Sequence, residues 1–556
     1  MHSYLRRIGV GLAVVLLTAP AFAAPVPAAN AKYEQPTIVI QAQSGQKLLD
    51  DLRKYVKLNG GTPEMLAKLD EMQKQFLGEK GFAGLDLTKP LGGYAYLRAK
   101  PETSSLVLVL PITNEKDALD LIGRLKMEAK EESKPKGVYE LTGGPFEHGL
   151  PGHLRFHGKH AYLSINGGVD SLAELDKLVP ISRLVDEKET AVLAATLTGK
   201  RMPKELTDQA YPVFDEANRG VDRLLARGPA DMPKNLPPFL KEMLGWGRRC
   251  YDLMIADGDT LGFRVSFDDK TGDLDTETIL TPNAKSVLAA DLAEFKPGRG
   301  RFHQLATKDS VAGGWLVLPG PIPNGVRSTF GAFVGESLPM LGKQSNLPAE
   351  MLPLFDSLAA IGQKAFTDGE VDLGLAMASP NQDGHYTAVA ALGLDDPTPL
   401  IKLVLAIAKD LPKEFAEAIK LNAYKIGAVP VHTFALAKLI PEDLLKIFGE
   451  KPALNIAVGN KGLFLAIGPG AEAELKRAMS LKPVEARAFD IVVNLAKGKE
   501  LVKAGGGNPR ELEQFPVPDR VISFCSIDVR GGKDLRMRGS SGQLTFMMLM
   551  GLAGMR

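Results

Sequence analysis

Twice in this chain, apolar positions at helical spacing give way to strict alternation, and both switches come at the same point of a shared pattern. Leu236, Phe239, Leu240, Met243, Gly247, Cys250 and Met254 fall on one face of a 3.6-residue repeat, as do Leu347, Met351, Leu354, Phe355, Leu358, Ile361 and Ala365. The two predicted helices also open alike. Asn235 and Asn346 are good N-caps, and Pro237 and Pro348 suit a first turn, where the donor that proline lacks would have no partner. Past Asp257-Gly258 and Asp368-Gly369 the period drops to two. Phe263, Val265 and Phe267 lead to the turn "DDKTG" and the returning strand "DLDTETIL", while Leu373, Leu375 and Met377 lead to "SPNQDG" and "HYTAVAAL". Both stretches predict β-hairpins followed by helices, one starting near Asn283 and the other near Pro397.

The pattern extends to the rest of the chain. Apolar strand candidates at 37–42, 190–197, 313–320 and 488–495 each lead into helical sequence and then a hairpin, so a β-αα-β-β-α unit is predicted four times. The matched order of elements points to internal duplication. The first unit continues through "GVYELTGG", "GHLRFHG" and "HAYLSINGG" into a helix "VDSLAELDKLV"; the third continues through "NAYKIG", "VPVHTFAL" and "GLFLAIGPG" into "AEAELKRAM". In this alignment Gly462 stands at the position of His160, and His432 at that of His153. The predicted boundaries are a long unit at 35–182 and a short one at 186–300, then a long unit at 306–482 and a short one at 486–556, with "FKPGRGR" joining the two modules. The fold class is α+β. Antiparallel sheets with helices on one face are expected, similar in their β-α-β arrangement to the ferredoxin-like fold. The whole also resembles large, mostly uncharacterised exported bacterial proteins built from duplicated α+β units, a likeness of architecture that implies no activity.

Composition and charge narrow the function classes. Arg6 and Arg7 precede the apolar run "IGVGLAVVLLTAPAFA", and Ala21-Phe22-Ala23 offers the small residues of a cleavage site, so 1–23 reads as an export signal and 24–34 as a flexible tether. Gly9 and Val10 stand where a twin-arginine signal prefers bulkier residues, which favours the general route. The expected location is the periplasm or cell envelope. With 67 Lys+Arg against 66 Asp+Glu, the chain has no basic field to attract nucleic acid. No later apolar run reaches the ~18 residues that suggest a spanning helix. Cys250 and Cys525, the only cysteines, are expected unpaired, one on a buried helix face and one in a strand. The apolar tail "SSGQLTFMMLMGLAGMR" is too short to span a bilayer and is expected to dock as a core helix.

The sequence contains no G-x-S-x-G, H-E-x-x-H, P-loop or C-x-x-C motif. Glycine-rich "KAGGGNPRE" reads as a loop rather than an anion cradle, and Asp268, Asp269, Asp273, Asp275 and Glu277 lack calcium-loop spacing but alternate as a solvated strand does. The stretch "EHGLPGHLRFHGKH" gathers His148, His153, His157 and His160. If Gly158-Lys159 is a two-residue turn, His157 and His160 oppose each other with Cβ atoms ~5 Å apart. His153 shares their face but lies ~13 Å away. A third ligand would be His148 or Glu147, and zinc usually needs three protein ligands. The cluster therefore carries only the alternative reading, a metal-dependent hydrolase using His148, His157 and His160. The preferred reading has no catalytic residue, cofactor or metal. It is a non-catalytic exported binding or structural component whose partner is an unknown protein or a small apolar ligand.

Overall fold

The computed structural model describes residues 33–58, 63–146, 151–227, 236–268, 273–294, 298–317, 324–344, 352–368, 371–394, 396, 398, 400–402, 405, 417–437, 440–459, 462–507 and 521–540. The chain divides into two compact units that do not follow chain order: 213–251 and 295–531 form one, and the rest forms the other. In chain order the first elements are β1 (Ile38–Ala42), α1 (Gly45–Leu58), α2 (Pro63–Leu77), β2 (Leu91–Tyr96), β3 (Ser105–Pro111) and α3 (Glu115–Arg124). Four more strands follow: β4 (Met127–Glu131), β5 (Val138–Gly143), β6 (Gly152–His157) and β7 (His160–Ile165). Short 3-10 turns at Val169–Leu172, Leu175–Lys177 and Ile181–Arg183 lead to β8 (Leu193–Thr198), α4 (Lys204–Asp208), α5 (Ala210–Arg227), α6 (Leu236–Asp257), β9 (Gly258–Phe267), β10 (Leu274–Pro282) and α7 (Val287–Glu294).

These strands make one antiparallel sheet in the first unit, in the order β4-β5-β6-β7-β3-β2-β1-β8-β9-β10. One face is covered by the segment of 3-10 turns, where Leu172, Leu178, Val179 and Leu184 pack on Val39, Tyr94, Val107, Val109 and Tyr162. The other carries α3, whose Ala118 and Ile122 pack on Leu141, Leu154 and Ala161. Asn114 starts α3 by accepting the amide of Asp117, a side-chain cap on an otherwise orphaned donor.

Beyond its 213–251 segment, which holds most of α5 and α6, the second unit runs through β11 (Arg299–Gly300), a 3-10 turn at Phe302–Leu305, β12 (Ser310–Val317), α8 (Asn324–Gln344), α9 (Leu352–Asp368), β13 (Asp372–Ala378) and β14 (Thr387–Gly393). It continues with β15 (Ile419–Ile426), β16 (Val429–Ala435), α10 (Glu442–Phe448), β17 (Ala453–Gly459), β18 (Gly462–Ile467), α11 (Ala471–Ser480), β19 (Val484–Glu485), β20 (Phe489–Asn494), α12 (Leu495–Ala504) and β21 (Val521–Arg530). Its sheet has the order β15-β16-β17-β18-β14-β13-β12-β20-β21, again antiparallel throughout. The last described strand, β22 (Leu535–Ser540), pairs with β10 and completes the sheet of the first unit. The end strands β4 and β15 are blunted. Glu128, Lys130 and Glu131 line β4, and β15 breaks register around Asn422, whose φ is 52°.

Three expectations are corrected. A ferredoxin-like β-α-β leaves room for another strand between its two strands, whereas the helix pair α1–α2 returns the chain to the end where β1 stopped, so β2 pairs directly with β1. Helices do not keep to one face. Leu475 and Ala478 of α11 pack on Phe464 and Ala466, while Leu400 packs on the opposite face against Leu463, because β18 is apolar on both sides. The helix predicted over "VDSLAELDKLV" is replaced by 3-10 turns. Arg155 explains why: its guanidinium donates to the carbonyls of Leu172 and Ala173, acceptors that a continuous α-helix would use for itself.

Candidate functional site

On two strands of the second unit, polar side chains occupy most of the buried face, with Val492 between them on β20, and apolar side chains stand exposed on the other. On β20, Asp490 is 2% exposed and Asn494 1%, whereas Ile491 is 38% exposed; on β21, Ser526 and Asp528 are buried and Ile527 is 43% exposed. The buried acids are paired, Asp490 with Arg487 at 2.9 Å and Asp528 with Arg530 at 2.9 Å. Asn494 caps α12 by accepting the amide of Lys497. These polar groups lie on the face under α11 and the Phe302–Leu305 turn, which approaches so closely that a Cβ on Gly374 would stand 2.3 Å from the Phe302 carbonyl oxygen.

The opposite face carries two apolar rows across four neighbouring strands. Register aligns Leu373, Leu316, Phe489 and Ile527 in one row, and Leu375, Gly314, Ile491 and Cys525 in the next. Leu373 is 36% exposed and Leu375 51%. Further along the same face, β14, β17 and β18 are covered, as Leu392, Val458, Leu463 and Leu465 pack with Leu400, Ile401 and Ile361. Among the described side chains, neither row carries a charge.

The histidine stretch is placed as follows. His157 and His160 oppose each other across the β6–β7 hairpin, as the two-residue turn predicts. Burial first, and His157 second, hold the His160 imidazole below its ordinary range. His153 is buried on the same hairpin and its Nδ1 lies 3.1 Å from the Gly167 carbonyl oxygen, so that nitrogen is already engaged. His148 and Glu147 lie outside the described residues. Among the described residues, no three His, Cys, Asp or Glu side chains gather as metal ligands. Cys250 lies on α6 and Cys525 on β21, with side chains outside those described.

Other stretches singled out from the sequence serve structure. Glu277 sits in an arginine cluster on β9, β10 and β22, 2.8 Å from Arg538, 3.4 Å from Arg264 and 3.6 Å from Arg536. Burial pushes this carboxyl up, but the three guanidinium groups outweigh it and hold Glu277 below the usual carboxylate range. Sequence reasoning read Glu277 as wet and missed these partners, two of which are more than 250 residues away in the chain. The glycines of "KAGGG" close the C-terminal end of α12, with Gly505 donating to the Leu501 carbonyl and Gly507 to that of Val502. A helix C-terminus presents carbonyls and repels anions. No described helix is long and apolar enough to cross a membrane, and the tail at 541–556 lies outside the described residues.

The two sheets share a strand order, and their registers link positions one by one. The β6–β7 hairpin occupies the place of β17–β18, so the pair His157 and His160 stands where Gly459 faces Gly462. By the same registers the counterpart of His153 is Asn455, each lying four residues before the turn-end pair of its hairpin, and not His432, which belongs to β16. Comparison of the chain with protein-family models, curated proteins and solved structures finds no match.

Proposed function

We propose that this protein is an exported, non-catalytic binding or structural component of the periplasm or cell envelope, and that it takes an apolar partner on the open face of its second sheet. The observation that carries this reading is the inversion on β20 and β21, where apolar side chains face out and paired acids face in. A one-residue slip would exchange the two faces, so the arrangement is fixed by pairing and not by hydrophobic burial alone. Full burial of one Leu or Ile side chain is worth ~1.5–3 kcal/mol, and since Leu373, Leu375, Ile491 and Ile527 keep 36–51% of their surface exposed, covering them would contribute roughly half of that each or less. The export signal read at 1–23 supports the location.

We also infer that the chain arose by duplication. Matched strand order, matched hairpin position and the order β-αα-β-β before each extension support this reading.

Anilinonaphthalene sulfonate fluorescence tests the binding face. The wild type should bind the probe, and Leu375→Gln with Ile491→Gln should remove most of that signal while leaving the melting temperature unchanged. Equal probe binding by the variant would remove the basis for a ligand face. Cell fractionation with intact mass tests the location, the expectation being a mature chain beginning near Ala24 in the periplasmic or envelope fraction.

A further inference from the structure

The β6–β7 hairpin turns on Gly158 and Lys159. Gly158 carries φ +61° and Lys159 does not have positive φ, the pattern of a turn whose twist suits tightly paired strands. Six consecutive residue pairs hold the hairpin in register, ending at His157 opposite His160. Directly opposed side chains in such a pair have Cβ atoms ~4.5–5.5 Å apart and point to one face of the sheet. The His157 ring leans over Tyr162 on that face, with ring centroids 6.4 Å apart.

What separates these two histidines from the others on strands is that their nitrogens are unengaged. His153 uses Nδ1 on the Gly167 carbonyl, and His432 uses Nδ1 to accept the Asn422 amide. Among the described residues, neither the His157 nor the His160 imidazole makes a hydrogen bond. The pair also sits at the accessible end of its hairpin, His157 being exposed and His160 half-buried. Two neighbouring imidazoles on a rigid backbone form a chelate, because once one nitrogen holds an ion the second already stands near it.

We propose that His157 and His160 together bind one divalent transition-metal ion, with two imidazole nitrogens as its protein ligands and water in the remaining positions. Imidazole nitrogen selects copper, nickel and zinc over calcium and magnesium, which prefer oxygen. With two protein ligands instead of the three or four of catalytic and structural zinc sites, the ion is held openly and exchanges with solution. The site is independent of the apolar face, and the second unit lacks it because glycines occupy both positions.

Titration of the full-length folded protein with Cu2+, followed by electron paramagnetic resonance, tests the proposal. The expected result is one equivalent of copper coordinated by two imidazole nitrogens, with affinity falling on the order of a hundredfold in His157→Ala or His160→Ala as the chelate is lost. An unchanged thermal melt of the metal-free variants separates ligand loss from unfolding, and His153→Ala should keep the two-nitrogen signal. Absence of a stoichiometric site in the wild type, or its survival in the double variant, would overturn the assignment. So would equal loss in His148→Ala, since the ion would then depend on a third histidine.

Discussion

The two sheets place very different side chains at matched positions. In the first unit, Gly93, Ile40, Ala195 and Phe263 form the row that Leu375, Gly314, Ile491 and Cys525 form in the second. Gly93 is buried and Ala195 is 4% exposed, while Leu375 and Ile491 are 51% and 38% exposed. At these two positions small residues are enclosed in one sheet where large ones stand open in the other, while Ile40 and Phe263 match the smaller Gly314 and Cys525. A similar exchange occurs on the reverse faces. Arg155 lies beneath the turns at 169–173, and its counterpart Ala457, fully buried, belongs to the core on which α11 packs. One strand order therefore accepts two kinds of cover, and single side chains determine which kind forms.

Moving the arginine to the other unit should have the largest effect. Ala457→Arg would force a guanidinium into a core lined by Phe464 and Leu475, both 0% exposed, with no acid among that cluster to pair with it. An uncompensated buried charge and overpacking together should cost more than ~4 kcal/mol, enough to unfold a typical domain. Urea unfolding or limited proteolysis would detect it, and a melt equal to the wild type would show that the cover over β17 is looser than described. The reverse change, Arg155→Ala, removes two hydrogen bonds from a charged donor and should cost ~1.5–3 kcal/mol. Faster amide exchange confined to residues 169–179 would locate the damage.

Much of this architecture was legible in the sequence. Period changes marked the hairpins, and the Gly158-Lys159 turn fixed His157 opposite His160. Long-range effects were not legible. The pattern at 169–179 satisfies helical spacing, and nothing local announces that Arg155 will draw away two of its carbonyls. Strand β4, "MEAKE", carries edge charges in place of alternating apolar residues, and "ALNIAVG" (β17) interposes a further strand after β16, which puts His432 one strand away from the counterpart of His153. Alternation on β20 and β21 identified strands but did not say which face would be buried. That choice rests on Arg487 and Arg530, which pair the inward acids.

Filling the matched position in the first unit should come next in size. Ala195→Ile adds three carbons at a buried site on β8, and overpacking of that kind typically costs ~1–3 kcal/mol. A stability loss below ~0.5 kcal/mol would mean the two faces are equally open.

Acid should have a smaller, graded effect through His432. Burial holds its imidazole below the ordinary value of 6.5, and its Nδ1 accepts the Asn422 amide where β15 bulges. The unfolded chain therefore binds more protons than the folded one just below that value, so stability is fully present above it and declines as pH falls toward the folded pKa. Melting curves between pH 7.5 and 5, about the window where histidine titrates, should show this decline, and His432→Gln should flatten it. A slope unchanged by the substitution would assign the acid sensitivity elsewhere.

The smallest effect should come from Ile491→Ala, and its smallness is informative. At the matched position in the first unit, Ala195 is enclosed, whereas Ile491 has 38% of its surface exposed and belongs to a row that includes Gly314. Truncation of a buried isoleucine costs ~2–5 kcal/mol, but loss of a side chain that the folded monomer leaves open should change stability by less than ~0.5 kcal/mol. If the face instead serves a partner, the same truncation should weaken the complex by more than it destabilises the free protein, because a partner would bury surface that folding does not. Paired measurements of urea unfolding and apolar-probe binding on this one variant distinguish the two situations. A stability loss of ~2 kcal/mol or more would show that Ile491 is already part of the core, and the contrast between the two sheets would then fail at the position where it is drawn most sharply.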